Sequence, residues 1–208
     1  MDWVTISSLA TAGGTLVLAV ATFASVRSAN RAARTAERSL LAGLRPLLVP
    51  SRSDDPAVKV GFVDEKWFLV PGGQGAADVS DTAVWLVISL RNVGNGIAVL
   101  HAWQLYPGLR TGPERPDADT FTRLTRDIYI APGDTGFWQG SFRDPSRPAF
   151  VEAKQAIEER SHLTVDVLYG DYEGGQRIVT RFGLTPREDG GWLASAGRHW
   201  NIDLPDPR

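Results

Sequence analysis

Three patterns of hydrophobic and polar residues follow one another along the 208-residue chain. From Trp3 to Val26 no residue is charged, and Val, Leu, Ile and Phe are diluted only by Ala, Gly, Ser and Thr. At 1.5 Å per residue such a stretch is long enough to cross a bilayer core of about 30 Å. The hydroxyls cost little in a helix, because they bond back to the preceding turn. From Arg27 to Leu44 the pattern becomes helical. At 100° per residue Arg27, Arg31, Arg34 and Arg38 form one narrow stripe, and Ala29, Ala33, Ala36, Leu40 and Leu44 lie roughly opposite. Gly43 and Pro46 stop this helix.

Beyond Pro46 the residues alternate. Strands are predicted at Leu47–Pro50, Val58–Val63, Trp67–Val70, Ala83–Val93, Ile97–Tyr106, Thr122–Ile130, Gly136–Phe142, Leu163–Tyr169 and Ile178–Leu184, with a tail around Trp192 and His199–Ile202. Asn95-Gly96 predicts a type I′ hairpin, and Pro132-Gly133-Asp134 and Glu173-Gly174-Gly175 predict two more turns. Pro148 opens a helix that places Ala149, Phe150, Ala153, Ala156 and Ile157 on one face. Residues 71–81 and 107–120 read as long mobile loops. Many short strands with hairpin turns and one inserted helix predict a mainly β fold, an antiparallel β-sandwich. Three regions follow: a transmembrane anchor over 1–26, a basic amphipathic juxtamembrane helix over 27–44, and the β domain over 45–208.

Charge sharpens this division. Asp2 is the one charge before Arg27, and six Arg against one Glu give residues 27–52 a charge of +5. The net charge is −2, so the remainder, from Ser53 on, carries −6. A basic collar next to an apolar helix suits anionic headgroups; nucleic acid would want the basic residues on the folded domain. A cleaved signal peptide needs positive charge ahead of its apolar run, which is missing, so a retained anchor is expected. Arginines stay on the cytoplasmic side, which predicts a single-pass protein of a bacterial inner membrane with its C-terminal domain in the cytoplasm. Trp3, Arg27, Arg31, Arg34 and Arg38 are the expected membrane-interface residues. Ala10/Gly14, Ala21/Ser25 and the seam of residues 29–44 suggest a homodimer, although two heptads are short for a coiled coil.

The sequence resembles a set of bacterial membrane-anchored proteins of unknown function. Arg45-Pro46-Leu47-Leu48-Val49 is similar to their RP-x-L-x-V, with Pro50 at the place of its last Val, and Asn92-Val93-Gly94-Asn95-Gly96-Ile97-Ala98 matches their N-x-G-x-G-x-A. Pro132-Gly133 matches a later PG turn, and Val165–Gly174 their last hairpin. The turns are also similar to those of immunoglobulin-like modules. The resemblance implies an anchored, immunoglobulin-like sandwich and brings no activity with it.

Reactive chemistry is sparse. The chain has no Cys, which excludes disulfides, thiolate metal sites and cysteine nucleophiles. His101, His162 and His199 stand in no metalloprotease or hydrolase motif. His101 reads as a hydrogen-bonded structural residue of an apolar strand. Asp166, Asp171 and Glu173 lack calcium-loop spacing, and Gly72-Gly73-Gln74-Gly75 lacks the Lys of a phosphate loop. No cofactor, metal or catalytic residue is therefore expected. Of seven Trp, Trp67, Trp85, Trp103 and Trp138 are expected in the core, and Trp192 and Trp200 are candidates for an exposed partner patch. The functional expectation is a non-enzymatic protein-interaction module, with the bilayer and an unidentified protein as partners. The alternatives are a small-ligand sensor with a pocket in the sandwich and, behind it, a hydrolase built on a His–carboxylate pair. A reporter fused after Arg208 should be active only if it is of the kind that works in the cytoplasm; activity of a periplasmic reporter there would reverse the topology.

Overall fold

A computed structural model describes the backbone of residues 2–203. It also describes all side chains of the first helix except those of Val4, Thr5, Ile6, Leu9, Ala10, Arg38 and Ala42. Two compact units result, 1–42 and 43–208. The first is a single unbroken helix, α1 (Trp3–Gly43), long and apolar enough to cross a membrane. Thr11 and Thr15 turn their hydroxyls back onto Ser7 O and Thr11 O, both at 2.9 Å, and so stay satisfied without water. The arginine stripe belongs to the same helix, with no break between the apolar and the basic part.

The second unit is mainly antiparallel β. Its strands are β1 (Leu48–Pro50), β2 (Val58–Gly61), β3 (Trp67–Val70), β4 (Gln74–Val79), β5 (Val84–Asn92), β6 (Ala98–Pro107), β7 (Thr122–Ile130), β8 (Thr135–Phe142), β9 (Leu163–Gly170), β10 (Ile178–Pro186) and β11 (Trp192–Asn201). Helix α2 (Pro148–Glu158) lies between β8 and β9. Nine strands form one continuous sheet, β1-β5-β4-β11-β10-β9-β6-β7, with β8 on the other side of β5. The sheet curls into a half-barrel; β2 and β3 make a separate hairpin. The expected two-sheet division is thus replaced by one sheet that bends round its own core.

The inner face is filled by alternate residues of every long strand, among them Leu86, Ile88, Leu90, Val165, Val167, Phe182 and Leu184. Trp103 packs edge-to-face on Trp138, with ring centres 5.2 Å apart. Phe150, Ala153, Ala156 and Ile157 of α2 join this core, while Ala149 faces out. The inward parity of β6 changes partway: Ala98 and Leu100 point in, then Trp103 and Leu105 do. His101 absorbs the difference, since both neighbouring ladders skip it.

Two expected loops are not loose. Residues 74–79 form β4, between β5 and β11. Their Gly, Ala and Asp have poor strand propensity, but the open edges of both neighbours supply the hydrogen bonds. Gly75 is required there, because a side chain would collide with Leu184 and the Val87 carbonyl. The 107–120 segment is irregular apart from a 3-10 turn at Ala118–Thr120, yet it is tied down. Thr164 Oγ1 donates to Gly108 O (2.8 Å) and Trp200 Nε1 to Pro113 O (3.3 Å).

The Asn95-Gly96 hairpin does not form. β5 and β6 are not paired, and neither Asn95 nor Gly96 has a positive φ. The segment is instead a corner built around Asn92, whose side chain is completely buried. Asn92 Oδ1 accepts from Leu47 N (3.2 Å) and Gly94 N (3.0 Å). Its Nδ2 donates to Gly96 O (2.7 Å) and Ile130 O (3.0 Å). Its backbone closes the Pro132-Gly133 turn: Gly133 N donates to Asn92 O (2.8 Å) and Asn92 N to Asp134 O (3.1 Å). Side chains at 94 or 96 would run into the backbone of residues 44–47, so these glycines serve close approach. Leu48 N donates to Tyr169 Oη (3.1 Å), and Arg45 bonds Asn201 Oδ1. The strand that directly follows α1 is therefore clasped by three distant parts of the domain.

Replacing Asn92 with Ala would leave four buried or half-buried groups without their partner. A loss of about 3 kcal/mol or more in denaturant unfolding is expected. Gly96→Ala should be comparably damaging, whereas the neighbouring exposed Val93→Ala should cost under about 1 kcal/mol. Equal effects at all three positions would show that the clasp carries no special weight.

Candidate functional site

The β2–β3 hairpin lies over the outer face of β5. Its inner residues Val60, Phe62 and Val70 cover Ala83, Trp85 and Val87, which is why β5 is buried on both sides. Two carboxylates bolt the hairpin down. At the tip, Asp64 Oδ2 accepts from Trp85 Nε1 (2.9 Å) and Arg143 (2.7 Å). At the base, Asp55 pairs with Arg91 at 2.6 Å. The Arg143 hydrogen bond lowers the Asp64 carboxyl below its ordinary 3.8, against the opposing effect of burial.

The outer face of this fixed hairpin is apolar. Val63, Trp67 and Leu69 are 92%, 59% and 71% exposed. Trp67 and Leu69 share one side of β3, with Lys59 across from Leu69 and its Nζ 4.8 Å from the Trp67 ring centre. Solvent faces of antiparallel hairpins are ordinarily polar, and single exposed apolar residues need no explanation. A Trp and a Leu side by side on a rigid support, next to a cation, make a patch of the kind that anchors protein interfaces. Trp67 was expected in the core; the pairing register turns it outward.

Trp192 and Trp200 do the reverse. They are only 1% and 2% exposed, so the patch expected of them does not exist. β11 is not a terminal edge but lies between β4 and β10. Trp192 joins the inner core with Arg160 over its ring at 4.7 Å, and Trp200 lies on the outer face under the tied-down 107–120 segment. Trp3, Arg27, Arg31 and Arg34 are exposed on α1; the Arg38 side chain and Ala10 lie outside the described residues.

The His101 side chain, bulged out of β6, makes no hydrogen bond among the described residues and lines a cleft of about 640 Å³ with Asp119, Arg123, Asp127 and Arg177. The expected hydrogen-bonded strand histidine is thus an outward-facing one, because the bulge removes it from both ladders. Arg177 is held by Asp203 at 2.7 Å. His199 Nδ1 lies 2.7 Å from Thr180 Oγ1, which in turn bonds Tyr169 Oη at 2.8 Å. His162 Nδ1 lies 3.3 Å from Thr185 Oγ1. Asp171 is buried, with Oδ1 accepting from Gly175 N (2.8 Å) in its own turn. Among the described residues no three His, Asp or Glu side chains converge as a metal site requires.

No family model matches the chain, and no curated protein does. Two solved structures, both β-glucosidases from Kluyveromyces marxianus, show a remote likeness. The first shares 12% identity over 66% of this chain and 15% of that one, at a TM-score of 0.22. The second, in complex with glucose, shares 14% identity over 68% and 16%, at 0.21. The chain thus spans under a fifth of their length, and overlap this poor bears on neither fold nor activity.

The electrostatics of the cleft are testable. Burial first, and Arg177 second, hold the His101 imidazole below 6.5, while Asp127 pulls it up. A depressed histidine favours the fold in its neutral form. Its contribution is complete above pH 6.5 and is lost as pH falls through the folded value. In an NMR titration His101 should titrate below 6.5, Arg177→Gln should raise its midpoint and Asp127→Asn should lower it. A midpoint at or above 6.5 would contradict the described environment.

Proposed function

We propose that this chain is a membrane-tethered, non-enzymatic interaction module that presents the outer face of the β2–β3 hairpin to a protein partner at the inner face of a bacterial membrane. The carrying observation is the rigid exposure of Trp67, Leu69 and Val63 on a hairpin whose other face is fully used in packing. An apolar α1 followed by exposed arginines supports the tether and a cytoplasmic domain. A homodimer would use the Ala29, Ala33, Ala36 and Leu40 face of α1, which is exposed. The ligand-sensor alternative moves from the interior, which Trp138, Trp192 and Phe182 fill, to the outer clefts.

The partner expected is a protein with a shallow apolar pocket and an acidic rim for Lys59. In living host cells, a photo-crosslinking amino acid at position 69 should give discrete protein adducts that Trp67→Ser abolishes. The same group at Glu152, on α2, should not give them. Trp67→Ser should change stability by no more than roughly 0.5 kcal/mol, as expected for an exposed site. Adducts with lipid or chaperones alone, or the same pattern from both positions, would defeat the proposal.

A further inference from the structure

A separate feature lies on the outer side of β9, β10 and β11, where a recess of about 230 Å³ opens under residues 109–112. Its floor is low because Gly183, Ser195 and Gly197 carry little or no side chain. The register of β10 and β11 shifts between Arg181 and Phe182, and Gly197 is the residue left without a partner. Floor and roof are joined by their own polar groups: Arg110 N donates to Thr164 Oγ1 (3.0 Å) and Arg181 to Gly112 O (3.3 Å). The recess is therefore held open by built structure and not by a gap in packing.

Three guanidinium groups border it, with unequal duties. Arg181 is spent: its Nε and Nη2 donate to the two oxygens of buried Asp166 at 2.8 and 2.7 Å, and Trp200 lies 4.8 Å from its carbon. Arg110 and Arg198 have no ion-pair partner among the described residues. Arg110 lies over the Tyr106 ring at 4.1 Å, while Arg198 stands at the edge of Trp200, 6.0 Å from a ring that Arg181 approaches more closely. Glu114, whose carboxylate lies beside Gly112 at the rim, also acts on Arg181. Three cations thus face two acids at the recess, within a domain that is otherwise acidic. Stacking orders a guanidinium and leaves its in-plane donors free, which is the geometry that grips an oxyanion from two sides. The Ser195 hydroxyl, held only weakly by Gly183 O at 3.4 Å, supplies a further donor.

We propose that this recess binds the oxyanion of a phosphate group, held by Arg110 and Arg198, with the Arg181–Asp166 pair as a charge-neutral floor. The group can be carried by a small soluble phosphate or by the headgroup of an anionic lipid. The proposal is independent of the hairpin face and does not need a protein partner.

The test uses the full-length chain in a non-ionic detergent at constant ionic strength, titrated with inorganic phosphate by calorimetry. Saturable one-site binding is expected. Arg110→Ser or Arg198→Ser should each weaken it by about ten-fold or more, the loss of one charge-assisted hydrogen-bonding group. Arg187→Ser, in the turn after β10 and outside the recess, should leave it unchanged, and unchanged melting of the variants without phosphate separates binding from folding. In a second arm, the chain in phosphatidylglycerol or phosphatidylcholine nanodiscs is followed by hydrogen exchange at residues 109–112. Protection only in the anionic discs, removed by the double variant, would support the proposal with a lipid source; Arg-dependent phosphate binding would support it with a soluble one. Phosphate titrations identical in all variants or matched by chloride, together with no arginine-dependent protection in either disc, would overturn it.

Discussion

The buried carboxamide of Asn92 is the constraint on which the domain depends. A fully buried amide costs a great deal unless all its hydrogen bonds are made, and here both of its polar atoms are used twice. The groups it joins come from the segment after α1, from the corner between β5 and β6, and from the end of β7. Its four bonds can be made together only if the sheet has curled enough to bring these three segments within reach. The clasp and the curl are one condition, and losing either leaves polar groups stranded.

The same clasp explains the short strand β1. Three residues paired to the end of β5 would hold poorly by themselves. Side chains do the rest: Tyr169 reaches Leu48 N from the inner face, Arg45 reaches Asn201, and Ser51 and Ser89 share a hydrogen bond at 2.6 Å.

The outer face of the sheet carries two coverings and a cleft. The β2–β3 hairpin covers β5, the 107–120 segment covers Trp200, and the bulge at His101 borders a cleft between residues 118–127 and the β9–β10 turn. The buried Arg181–Asp166 pair sits among these. Such a pair gains little net stability once desolvation is counted, but breaking it strands a charge. Its value is in fixing where the neighbouring cations and the covering segment can go.

Periodicity determined most of the elements. The apolar run of α1, its arginine stripe, α2 with its buried Phe150, Ala153, Ala156 and Ile157, and most strands within a residue or two follow from residue type alone. The Pro132-Gly133 turn follows too, with Gly133 at a φ of +80°. What local pattern did not carry is anything decided by a neighbour from elsewhere in the chain. Asn95-Gly96 has the composition of a hairpin, but β5 and β6 found better partners. Residues 74–79 have the composition of a loop, but two open strand edges claimed them. Trp67 opens the apolar run Trp67-Phe68-Leu69-Val70 and Trp192 is followed by Leu193 and Ala194, so neither pattern marks the buried face, and only the order of strands puts one in water and the other in the core. One signal was readable in advance: the parity of apolar residues breaks between Leu100 and Trp103, which marks the bulge at His101. Alternation reports that a strand has two faces; which face is buried is settled by what packs on it.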